Sequence, residues 1–139
     1  MGATPIFLII ALLFYNKMSI VWGLVVTSAC VGVIKLTTNL FPEDHAIYRL
    51  SRRPKSATCC DILSLNSDDQ SNAAGFPSGH MAFITYFIMR MPDESFIFQN
   101  YINILLWAIT AYDRTATNCH TTLQVLSGSL LGLLLSKSI

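Results

Sequence analysis

Along the chain, apolar residues gather into five segments: Pro5 to Tyr15, Ser19 to about Leu40, His80 to Met91, Phe96 to Tyr112 and His120 to Leu135. A bilayer span needs about 20 residues, or somewhat fewer with tilt and local thinning. By that measure the second, fourth and fifth segments are long enough to cross a membrane, and the first and third are marginal. The one long polar stretch, about residues 41–79, follows the second segment and carries Arg49, Arg52, Arg53 and Lys55 before Asp61, Asp68 and Asp69. Loops of that length are functional or disordered. Five spans would put this loop, the N-terminus and the short loop around Arg114 on one side of the membrane. Lys17, Arg90, Lys137 and the acidic turn "PDES" would then fall on the other.

Composition agrees with the pattern. Hydrophobic residues make up 53% of the 139 and charged residues 12%, and the mean hydropathy is +0.51, which points to an integral, multi-pass membrane protein rather than a soluble domain. A net charge of +1 gives no electrostatic case for a nucleic-acid partner. The first segment has neither the basic flank nor the cleavage site of a signal peptide, and Ile6 stands where a myristoylation signal wants Ser or Thr. Cys30, Cys59, Cys60 and Cys119 show no C-x-x-C spacing, so neither a zinc site nor a disulfide framework is expected, and Cys119 reads as a packing residue.

Candidate chemistry sits at two segment boundaries. In "GFPSGHMAF", Gly75 to Phe83, Ser78 can cap a helix with Gly79 and His80 in its first turn, and the same unpaired amides can hold a phosphate. In "AYDRTATNCHTTLQV", Arg114 precedes His120 by six residues and Gln124 follows it by four, on the same helical face. An acceptor one turn away can fix an imidazole tautomer, as a nucleophilic or acid–base histidine requires. His45 has no such company.

These blocks resemble the type 2 phosphatidic acid phosphatases, which share an active site with bacterial nonspecific acid phosphatases and vanadium haloperoxidases. The family pattern is K-x6-R-P, then P-S-G-H, then S-R-x5-H-x3-D. The chain has "RRP" at Arg52 to Pro54, "PSGH" at Pro77 to His80 and "DR-x5-H-x3-Q" from Asp113 to Gln124. The resemblance implies that His120 attacks phosphorus, that His80 protonates the leaving oxygen and later activates water, and that Arg53, Ser78, Gly79 and Arg114 surround the phosphoryl oxygens. No metal or other cofactor is implied. Charge stabilisation and alignment by arginine forks is also what phosphoryl transfer demands in general.

Three positions depart from the pattern. Ala46 stands where the family has lysine, and neither Lys35 nor Lys55 is assigned its role; Asp113 replaces serine; and Gln124 replaces the aspartate that orients the nucleophile. The expectation is an all-α transmembrane bundle of about five helices, one domain over residues 1–139. Its expected function is metal-independent hydrolysis of a lipid phosphate monoester or polyprenyl diphosphate through a phosphohistidine. The alternative is a weak or inactive structural member of the same fold, suited to a compact genome such as that of a virus with an internal membrane.

Overall fold

In the computed structural model, residues 18–58, 60, 69–90 and 96–139 are described. They form five helices and no strand: α1 (Met18–Asn39), α2 (Ala46–Ser51), α3 (Gly79–Arg90), α4 (Phe96–Ala116) and α5 (Thr122–Ser138). The apolar segment Pro5 to Tyr15 and the "PDES" turn lie outside the described residues. Helix α2 arises inside the loop, where His45 Nδ1 caps it by accepting from the Ile47 N–H at 3.2 Å. That gives His45 a structural task.

Helix α3 is the centre of the bundle. Met81, Ala82, Ile84, Tyr86 and Phe87 are buried along it, and Met81, Ile84, Tyr86 and Phe87 pack with Ile20 and Leu24 of α1 and Val125 of α5. Helices α3 and α5 run parallel: Ser78 N–H donates to Gln124 O at 3.0 Å at one end, and Arg90 reaches Ser136 O at 3.4 Å near the other. Their close approach rests on two small residues a turn apart. A Cβ at Gly128 would lie 2.3 Å from Ser78 O, and one at Gly132 would lie 2.3 Å from Ala82 O, the small-x-x-x-small contact that lets helix backbones touch. Helix α1 runs against α3, with Gly23 beside Tyr86 and Val31 beside Gly79. Helix α4 runs against α5, joined by a Trp107 Nε1 to Ser129 Oγ bond of 3.2 Å. The C-terminal ends of α1 and α4 and the N-terminal ends of α3 and α5 therefore meet at one end of the bundle.

Two boundaries differ from expectation. Helix α4 continues past Tyr112 to Ala116, so Arg114 occupies its last turn rather than a loop. Asn118, in the left-handed region at φ 54°, ends the run, as Asn does at helix C-termini. Helix α5 begins after His120: Thr121 is its N-cap and Gln124 completes a capping box.

Among the described helices, α1 alone is both long and apolar enough to cross a membrane, with a span of Ser19–Asn39. Helix α4 has 21 residues but includes Asn103, Asp113 and Arg114, and α5 has 17 residues.

Candidate active site

The converging helix ends bring the three sequence blocks together through Gln124. Its side chain is fully buried. Nε2 donates to Leu50 O at 3.2 Å and Arg52 O at 2.7 Å, while Oε1 accepts from Thr121 N–H at 3.2 Å. The backbone carbonyl of the same residue accepts from Ser78 N–H. One residue thus ties the first block to the second and third. Gly75 makes room for it, since a Cβ there would come within 2.7 Å of Oε1.

The network fixes the state of His120. Two carbonyls can face only the NH₂ end of an amide, so Oε1 must point at His120 Nδ1, 3.3 Å away. An amide oxygen only accepts, so Nδ1 carries the proton and Nε2 keeps its lone pair. His120 is 3% exposed and lies outside the helices. Burial, then the positive charges of Lys35 and Arg53, push its pKa from 6.5 down to about 3. The ring is neutral at neutral pH.

Around it stand the other predicted residues. Ser78 directly precedes α3, and its carbonyl accepts from Ala82 N–H at 3.1 Å. Its hydroxyl does not cap the helix: Ser78 Oγ and His80 Nε2 are both buried with no hydrogen-bond partner among the described residues. Gly79 and His80 form the first turn of α3, where backbone amides lack intrahelical acceptors. His80 lies within electrostatic reach of Arg114, Lys35, Asp113 and Arg53. Arg53 is 7% exposed, its Nη1 held by Gln70 Oε1, which also accepts from Cys60 N–H. Arg114 is 2% exposed and already paired, with Nε at 3.0 Å and Nη2 at 2.5 Å from Asp113 Oδ2 and Nη1 at 3.3 Å from Cys60 O.

Several participants escaped the sequence reading. Gln70 braces Arg53. Asp113 is the counter-ion of Arg114. The expected absence of a disulfide is overturned: Cys60 and Cys119 are bonded across 59 residues, which fastens the long loop beside His120, and Cys119 is a tether rather than filler. Sequence spacing carries no sign of such a long-range pair. Arg52, next to the predicted Arg53, is a brace: it stacks 3.7 Å over the Tyr48 ring and bonds Asn72 O and Asn39 Oδ1, each at 2.7 Å.

No curated protein and no solved structure matches the chain. The PAP2 superfamily matches residues 16–139, so the three blocks and nearly all of the chain fall within one family description. That family is typically one of membrane proteins, of phosphatase type, in keeping with the all-helical fold and the apolar α1. The chain belongs to the PAP2 superfamily.

Proposed function

We propose that the chain is a multi-pass membrane phosphatase that hydrolyses a lipid phosphate monoester or polyprenyl diphosphate through a phosphohistidine at His120, without a metal. The observation that carries this reading is the fixed His120 tautomer together with two buried groups that have no hydrogen-bond partner among the described residues, Ser78 Oγ and His80 Nε2, at the N-terminal end of α3. Nε2 attacks phosphorus, an N–P bond forms and the P–O bond to the lipid breaks, with His80 donating the proton that the leaving oxygen takes up. In the second half, water gives a proton to His80 and attacks phosphorus, the N–P bond breaks and phosphate leaves. Arg53, Arg114, Ser78 and the Gly79 amide stabilise the charge on the phosphoryl oxygens. A bilayer setting is supported by exposed Leu123, Leu126, Leu130 and Leu134 along α5 and exposed Ile104, Leu105, Ile109 and Tyr112 along α4, since water-facing helices present polar residues there.

A second reading, a weak or inactive structural member, is favoured by one observation: Asp113 occupies two of the nitrogens that Arg114 would offer a phosphate. Phosphate release from phosphatidic acid by the full chain in detergent, with EDTA present, separates the two. The enzyme reading expects release that survives chelation and vanishes in His120→Ala. Release no greater than that of His120→Ala gives first place to the structural reading.

A further inference from the structure

Helix α1 presents one stripe to the bundle, with Ile20, Gly23, Leu24, Thr27, Val31 and Thr38 buried along it. Between Val31 and Thr38, the half-buried Ile34 and Lys35 flank the centre of that face, three and four residues beyond Val31.

The neighbours of Lys35 locate it in the site. One turn before it, Val31 touches Gly79, with Cγ1 at 3.5 Å from where a Gly79 Cβ would stand. One turn after it, Asn39 Oδ1 accepts from Arg52 Nη2 at 2.7 Å. The helix rises about 6 Å per four residues, so Lys35 lies between the P-S-G-H turn and the R-R-P segment, beyond the N-terminus of α3. Its charge also acts on both histidines.

We propose that Lys35 supplies, from helix α1, the phosphate-binding cation that the first block lacks at Ala46. The substrate class is the phosphoryl group of the proposed reaction, and the inference rests on that reading of the site. A lysine ammonium acts as a compact point charge that tolerates approach from a different element, because it needs no planar match to the phosphate oxygens. In this chain the loop before Arg53 forms α2, and Ala46 begins that helix, so the cation is delivered from the preceding helix.

The test titrates inorganic phosphate into the purified full chain in detergent, by calorimetry, and measures phosphate release from phosphatidic acid on the same samples. Lys35→Met is expected to weaken phosphate binding by roughly tenfold to a hundredfold, the worth of one charge-assisted contact, and to lower kcat/KM alongside. Lys35→Arg should stay within a few-fold of wild type, and Lys55→Met, at an exposed turn, should change nothing. If Lys35→Met fails to fold, Lys35→Gln carries the same comparison. Unchanged phosphate binding in the charge-removing variant overturns the proposal while leaving the enzyme reading intact. Phosphate binding that depends on Lys35, without release above His120→Ala, upholds Lys35 and overturns the enzyme reading. A wild-type chain that binds no phosphate overturns both.

Discussion

Gln124→Asp is the substitution on which sequence and structure give opposite signs. By pattern, Gln124 stands where the family has an orienting aspartate, and restoring the carboxylate should raise turnover. The structure reverses this. Nε2 of Gln124 is the donor for Leu50 O and Arg52 O, and aspartate has no donor and one methylene fewer. Each buried carbonyl left unpaired costs about 1–3 kcal/mol, and the missing methylene adds about 1 kcal/mol. The new carboxylate would also face two carbonyl oxygens, and its gain from an imidazolium is absent while His120 is neutral. A loss of about 3–7 kcal/mol is expected, a large part of the roughly 5–15 kcal/mol that holds a domain together. Thermal unfolding in detergent, followed by Trp22 and Trp107 fluorescence, should fall by about ten degrees or more. Phosphate release should drop about tenfold or further, because the Arg52–Arg53 segment loses its anchor. Gln124→Glu, which keeps the reach and the acceptor but not the donor, should fall between. A Gln124→Asp protein that melts with wild type and turns over faster would refute the anchoring argument.

Asp113→Asn should free the Arg114 fork from its internal counter-ion and tighten inorganic phosphate binding several-fold up to about tenfold; equal or weaker binding in a titration would count against Asp113 as a competitor. Cys60→Ser should lower stability by about 2–4 kcal/mol, and a dithiol reductant should reproduce that loss in wild type and have no effect on the variant, as read by melting. Gly128→Val should cost about 1–3 kcal/mol by prising α5 from Ser78 O, whereas the same change at Gly32, where nothing lies within 4 Å, should be tolerated. For pH, His120 is depressed to about 3, so below 6.5 the unfolded chain binds a proton that the folded chain refuses. Stability should fall by about 1.4 kcal/mol per pH unit from this group as pH drops from about 6.5 toward 3, with no contribution above 6.5. An unchanged acid slope in His120→Asn would contradict the burial of that ring.

Hydropathy located α1 and α3 nearly to the residue, because both end where apolar sequence ends. It misjudged α4, whose final turn is polar: Thr115 Oγ1 bonds Ala111 O at 3.0 Å, and helical hydrogen bonding outruns hydrophobicity until Asn118 adopts a left-handed conformation. It misjudged α5 from the other side, counting His120 into a helix whose capping box starts at Thr121. The short motifs named Arg53, Ser78, His80, Arg114 and His120 because charged and small residues at segment boundaries leave a local signature. Long-range partners leave none. The Cys60–Cys119 bond, the Gln70 brace and the place of Lys35 between Gly79 and Arg52 depend on which elements meet, and only the fold brings them together.

The departures from the family pattern also make sense when read jointly. The pattern places a lysine, two arginines and one aspartate around its histidines, so three cations stand with one carboxylate. This chain loses the lysine at Ala46 and the aspartate at Gln124, but Asp113 and Lys35 lie at the same converging helix ends as Arg53 and Arg114. Three cations again stand with one carboxylate. The carboxylate has moved from behind the nucleophile to the side of Arg114, and that relocation explains why a neutral amide can follow His120. With the compensating anion already on Arg114, a second carboxylate behind His120 would lower the positive field at the converging helix ends. The position is left to a side chain that both accepts from the imidazole and donates to the first block. Restoring both pattern residues, Gln124→Asp and Asp113→Ser together, would keep the charge count but still break the two bonds to Leu50 O and Arg52 O, so charge alone cannot rescue the double variant.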